Sequence, residues 1–199
     1  MAIDLDPKNI LQWVKEGRVW QSGIGVLTTP ESFAATDLVR QTPAMYNRVP
    51  AGRVIVPIIA SISPEATGAA VLQVLVSTAN NDIGVGNSVA TTPVNVNTRY
   101  ATVSSSVSAY GTNTGATGTA PTGVADVYRH YQQVDNDAIT GAPTPPIIYD
   151  PFNGKGQICV IGSASNINCF MVYVANGTSS TGFAIWSWAE FSYEEFYAA

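Results

Sequence analysis

The chain has 199 residues, with nine Lys and Arg, fourteen Asp and Glu, one His, and a formal net charge of −5. Charged residues make up only 12% of it, where an ordinary globular domain carries about a quarter. No Lys/Arg run is available to neutralise phosphates, which argues against direct nucleic-acid contact, and no window approaches the roughly 20 apolar residues of a membrane span.

The start, Met1-Ala2-Ile3-Asp4-Leu5-Asp6-Pro7, is acidic where an export signal is basic, so folding in a cytosol is expected. Asp6-Pro7 reads as a helix start, with Asp as N-cap and Pro at the first helical position. Ile10, Leu11 and Val14 follow at helical spacing with Trp13 beside them, and Gly17 closes the segment. So short a helix must dock on the body or on a neighbour. Arg18-Val19-Trp20 and Gly25-Val26-Leu27 read as short strands or as an extended arm, and residues 30 to 39 as loop or one weak helix.

From Tyr46 the pattern is β. The turn Pro50-Ala51-Gly52 leads into the apolar run Val54 to Ile62, where Pro57 signals an edge strand or a bulge. Ala70 to Ser77 is a second apolar strand. Tyr100 to Tyr110 alternates, with Ala101, Val103, Ser105, Val107 and Ala109 on one face, and predicts a half-buried strand. Residues 111–123 are low complexity and read as a loop. Strands are expected at Val124–Gln132, Gln157–Ile161, Asn168–Val174 and Gly182–Phe196, with Asn176-Gly177 as a hairpin turn between the last two. About eight strands, with no βαβ alternation, predict an all-β fold. The expected division is 1–45 as helix and extended arm, and 46–199 as a β-sandwich domain.

From Val54 to Ala125, 72 residues carry three charges, Glu65, Asp82 and Arg99. Small polar and β-branched residues at this density suit sheets covered on both faces, by their own core or by another subunit.

No side-chain constellation points to catalysis, metal or cofactor. His130 is the only histidine, so a zinc site is not expected. Asp135, Asp137 and Asp150 lack the spacing of a calcium loop and read as a solvated turn. Glu190 and Glu194 on one strand face lie roughly 13 Å apart, beyond the roughly 5–9 Å of a glycosidase pair. Cys159 and Cys169 flank a turn near Ala164; a cross-strand disulfide competes with two buried thiols, and the thiols suit a reducing compartment. Trp186 and Trp188 share a strand face, where with Tyr110 they could stack on a sugar, although core or subunit interface is favoured.

The lead-in Tyr46-Asn47-Arg48-Val49-Pro50-Ala51-Gly52-Arg53-Val54-Ile55-Val56-Pro57, the strand run with Thr/Gly/Ala/Asn loops, and the closing Ile185-Trp186-Ser187-Trp188-Ala189-Glu190-Phe191-Ser192-Tyr193-Glu194 resemble single jelly-roll proteins of virus particles: capsid, cement and decoration subunits of icosahedral viruses and bacteriophages. The resemblance spans roughly residues 40 to 197. It implies a single jelly roll of about eight antiparallel strands and a non-enzymatic virion protein assembled in the host cytoplasm. Residues 1–17 lack the basic arm of genome-lining coats, which favours a decoration or cement subunit on the capsid surface. The partners so implied are other copies of the chain, as a trimer, and the capsid shell protein. Ile10, Leu11, Trp13, Val14, Trp186 and Trp188 are the expected interaction residues. A shell-forming role and a carbohydrate- or receptor-binding module with a glycan partner are the alternatives.

Overall fold

The computed structural model describes residues 5–25, 29–33, 39–67, 71–111, 117–133, 145–175 and 180–197. The expected turn at Asn176-Gly177 and the Asp135/Asp137 pair lie outside them. Helix α1 (Asn9–Lys15) begins two residues after Pro7, and Asp6 Oδ1 accepts from the Lys8 amide at 2.9 Å. The helix ends in a Schellman motif: the Gly17 amide donates to Val14 O and the Arg18 amide to Trp13 O. Gly17 has φ +73°, and a Cβ there would meet the Tyr100 ring at 2.5 Å, so this position requires glycine twice over.

The strands are β1 (Val19–Ile24), β2 (Glu31–Phe33), β3 (Met45–Val49), β4 (Arg53–Thr67), β5 (Val71–Ala79), β6 (Val89–Thr91), β7 (Val94–Asn95), β8 (Ser108–Gly111), β9 (Ala125–Gln133), β10 (Ile147–Tyr149), β11 (Ile161–Ser163), β12 (Asn168–Ala175) and β13 (Ser180–Ser192). A second helix, α2 (Tyr193–Tyr197), follows without a break. Sheet I runs β10-β4-β13-β1-β7, with β11 also on β4 and β2 also on β13; sheet II runs β6-β8-β3-β12-β5-β9. The antiparallel pairs β1·β13, β3·β12, β4·β10 and β5·β9 nest inside one another and alternate between the sheets. That is the winding of a jelly roll, as expected.

Three sequence expectations change, and of the two readings of Pro57, edge strand or bulge, the bulge holds. β1 belongs to the sandwich, between β13 and β7, so the strands begin at Val19 rather than after residue 45. β4 is interior, and Pro57 is accommodated by the bulge: Trp188 pairs with Pro57 and Ser187 with Ile59, leaving Ile58 as the extra residue. β11 covers Arg53–Ile55 and β10 covers Ala60–Ile62 on the other side of β4, so no ladder partner faces the proline there. The predicted strand over 100–110 forms only at Ser108–Gly111. Upstream, the Asn97 side chain accepts from the Arg99 amide to start a 3-10 turn, and Ser105 and Ser106 bond Glu190. Such local side-chain bonds replace ladder bonds. The strand expected at Gln157–Ile161 is displaced to Ile161–Ser163.

The core between the sheets holds Trp20, Phe33, Val49, Ile55, Ile62, Leu72, Val74, Phe170, Trp186 and Trp188. A second apolar cluster lies on the outer face of sheet I, under the helices, and a third on the outer face of sheet II.

Candidate interaction surfaces

The α1 residues expected to grip a neighbour are largely occupied by their own fold. Trp13 is buried, edge-on to Phe191 at 5.5 Å and to Phe152 at 6.2 Å. Ile10 and Val14 pack on the same cluster. Leu11 alone of the four faces outward, 63% exposed. The carbonyls at the helix end are held from the β7 segment, where Asn95 Nδ2 donates to Gly17 O at 2.6 Å and Asn97 Nδ2 to Val14 O at 3.0 Å.

Arg18 ties the two helices together. Its terminal nitrogens donate to both oxygens of Glu195 at 2.9 and 2.6 Å, its Nε donates to Glu16 at 2.7 Å, and the guanidinium lies 5.2 Å from the Phe191 ring centroid. Arg18 holds the Glu195 carboxyl below the usual range; the Gln12 amide and then Arg18 do so for Glu16.

Trp186 and Trp188 are each 1% exposed, so the core reading holds and their assignment as interaction or sugar-stacking residues is corrected. Their strand face is the one turned toward sheet II. Each indole N–H is used inside: Trp186 Nε1 donates to Asn47 Oδ1 at 2.9 Å and Trp188 Nε1 to Glu190 Oε1 at 2.9 Å. Tyr110 stacks on Tyr46, with centroids 5.1 Å apart. Glu190 also accepts from the hydroxyls of Ser105 and Ser106, so this carboxylate pins the 101–107 loop to β13.

His130 lies on the edge strand β9, stacked on Tyr128 at 6.2 Å. Among the described residues no group of His, Cys, Asp and Glu gathers as metal ligands. Both cysteines are free thiols. The turn at 163–166 does not fold β11 back on β12 as a hairpin; it carries the chain from sheet I to sheet II. Cys159 therefore packs against the inter-sheet core and Cys169 in the outer cluster of sheet II, and burial pushes both thiols up to about 11.

Three features were not read from the sequence. The outer face of sheet II is roofed by the chain's own segments around 39–42, 80–86 and 117–123. Arg48 pairs bidentately with Asp82, Arg40 pairs with Asp126 at 2.7 and 3.0 Å, and Tyr46 Oη donates to Gly84 O at 3.1 Å. Much of the uncharged 54–125 stretch is thus covered from within. An open cleft of about 340 Å³, lined by Gly52, Arg53, Ala164, Ser192, Tyr193 and Glu194, lies at one end of the sandwich. The segment 85–103 wraps from the edge of sheet II to the edge of sheet I with Val85, Val89, Val94, Val96 and Val103 exposed. Residues 85–98 within it carry no charge. Composition signals such a patch, but only the tertiary structure says that its valines face outward. The chain matches no protein-family model and no curated protein at significant similarity.

Proposed function

We propose that the protein is a non-enzymatic structural subunit of a virus particle, a decoration or cement subunit on the outer shell that associates with its own copies and with capsid shell protein. Fold alone does not assign function. The observation that carries the reading is the pairing of a jelly-roll winding with exposed, charge-free apolar surface. Contiguous exposed apolar surface marks interaction sites. The resemblance of the lead-in and closing strands to virion jelly rolls supplies the kind of assembly. With Ile10, Trp13 and Val14 committed to the subunit's own core, attachment falls to Leu11 and to the uncharged sheet surfaces. Closed symmetry reuses one patch on every copy, and a trimer is the stoichiometry the resemblance implies.

The test is composition. Virus particles purified on a density gradient from cells that express this chain are expected to contain it in fixed stoichiometry to the shell protein. Particles that lack the chain, while it is abundant in the lysate, overturn the reading.

A further inference from the structure

The loop from Asp150 to Gln157 straps three parts of the molecule together. It opens with the 3-10 turn Pro151–Asn153. Its base is closed by a reciprocal bridge, in which the Asp150 and Lys155 amides each donate to the other's carbonyl at 2.9 Å. Phe152 stands edge-on to Trp13 of α1. Gly156 lies against the Tyr149 ring, where a Cβ would come within 2.6 Å. The Gln157 amide donates to Val127 O at 3.0 Å, and Tyr149 Oη donates to Gln157 O at 2.8 Å. The loop thus joins β10 of sheet I, β9 at the edge of sheet II and the helical layer.

At the tip of this strap stands Asn153-Gly154, a side-chain amide followed by the least hindered kind of backbone nitrogen. We propose that Asn153 is a self-modification site, which loses its side-chain ammonia to become aspartate and isoaspartate, and that the change loosens the strap. The Gly154 nitrogen gives its proton to hydroxide and attacks Asn153 Cγ. The new C–N bond closes a five-membered succinimide, and Nδ2 leaves as ammonia with a proton from water. Water then opens the ring at either carbonyl, giving aspartate or isoaspartate. One water is consumed and one ammonia released, with no oxidant or reductant.

The local structure leaves this chemistry open. Asn153 and Gly154 are exposed, and a Cβ at Gly154 would meet nothing within 4 Å, so water and hydroxide reach the reacting atoms. The Gly154 amide is held by Pro151 O at 3.4 Å, longer than an ordinary hydrogen bond. The helical turn keeps the Gly154 nitrogen turned away from Asn153 Cγ, so reaction passes through opening of this one turn. A short, exposed turn opens at small cost.

The product does not close as before. Asn153 Nδ2 donates to Asp150 Oδ2 at 2.7 Å. An acid at this position replaces the donor with a second carboxylate, and like charges so close repel. Isoaspartate does more. It adds a methylene to the main chain inside the loop that the Asp150–Lys155 bridge closes, and the register of that bridge is lost. Gly156 and Gln157 then shift against Tyr149 and Val127.

Incubation of the full chain for weeks in mildly alkaline buffer, followed by peptide mass mapping, tests the site. Asn176-Gly177, the other Asn-Gly of the sequence, is the internal reference. Asn153 is expected to convert, with isoaspartate as the larger product. The form carrying isoaspartate at 153, separated by ion exchange and identified by mapping, is expected to melt about 2–4 °C lower. Its Gln157 amide hydrogen is expected to exchange about tenfold faster. Asn153→Gln and Asn153→Ser, aged alongside, are expected to keep the Gln157 exchange rate of fresh protein. An Asn153 amide that survives while Asn176 is converted overturns the site. Conversion at Asn153 with Gln157 exchange unchanged overturns its coupling to the strap.

Discussion

Asn47 is fully buried in β3 between the sheets, with one amide oxygen accepting from Trp186 and its Nδ2 without a partner. The pair spans the two sheets, so it reports on inter-sheet register. Asn47→Ala leaves the indole N–H unpaired and is expected to cost about 1–3 kcal/mol. Asn47→Leu combined with Trp186→Phe removes both polar groups and is expected to recover part of that loss. Urea unfolding of Asn47→Ala, of the single variants Asn47→Leu and Trp186→Phe, and of their double measures it; a double variant worse than the sum of its parts would contradict the account. The thiols give a second residue-scale expectation. Held neutral, the half-buried Cys159 and the buried Cys169 should resist iodoacetamide in the folded protein at about pH 8 and react once it is unfolded. Reductant should leave the melting temperature unchanged. Rapid native labelling of Cys169 would argue against the buried site. From sequence these two cysteines looked adjacent, because ten residues around a turn suggest a hairpin. The jelly roll changes sheets at that turn, and sequence spacing does not record which sheet a strand joins.

At the scale of elements, the helical layer and β1 differ in consequence. Removing residues 1–17 strips a roof from the outer cluster of sheet I but leaves the sheets' strands intact, so a folded, less stable protein is expected. Trp13→Ala alone is expected to cost about 3–5 kcal/mol, read as a shift in the urea midpoint. Removing residues 1–45, which the sequence suggested would spare the folded domain, deletes β1 from between β13 and β7 and should abolish the cooperative melt. A folded 46–199 fragment would refute the placement of β1.

Acid acts on the ties between elements. The carboxyls of Glu195 and Glu16, held by Arg18 with Gln12, of Asp82, held by Arg48, and of Asp126, held by Arg40, all titrate below their ordinary values. A carboxyl depressed in the folded state adds stability above its unfolded value, about 4, and loses it as pH falls through the folded value. The melting temperature should be level from neutrality to about pH 5 and fall below about pH 4. Glu195→Gln should make that fall shallower, by a modest amount because the pair is partly exposed. A calorimetric series decides; an unchanged acid limb would remove the Arg18 tie from the account.

For the whole molecule, composition and topology carry different parts of the functional reading. Low charge announces contact surface but does not distribute it. Part of this charge-poor stretch turns out to line the subunit's own interior, as at Leu75 and Ala79, which pack with Ile83 of the 80–86 segment. The exposed valines of that stretch, Val85, Val89, Val94, Val96 and Val103, lie in the 85–103 segment.

The apolar runs of β4, β5 and β12 and the all-β class were determined by the sequence alone, because local pattern acts within a few residues; at Pro57 the sequence left edge strand and bulge open, and the interior place of β4 decided for the bulge. The fate of 100–107, the indole partners of Trp186 and Trp188, the commitment of Trp13 to its own fold, and the separation of the two cysteines were decided only by tertiary structure. Each depends on a partner far away in the chain: Glu190 for the serines, Asn47 for Trp186, Phe191 and Phe152 for Trp13, and the choice of sheet for the cysteines. A strand's alternation says that one face is buried; which face, and under what, follows from how the nested hairpin pairs close into two sheets.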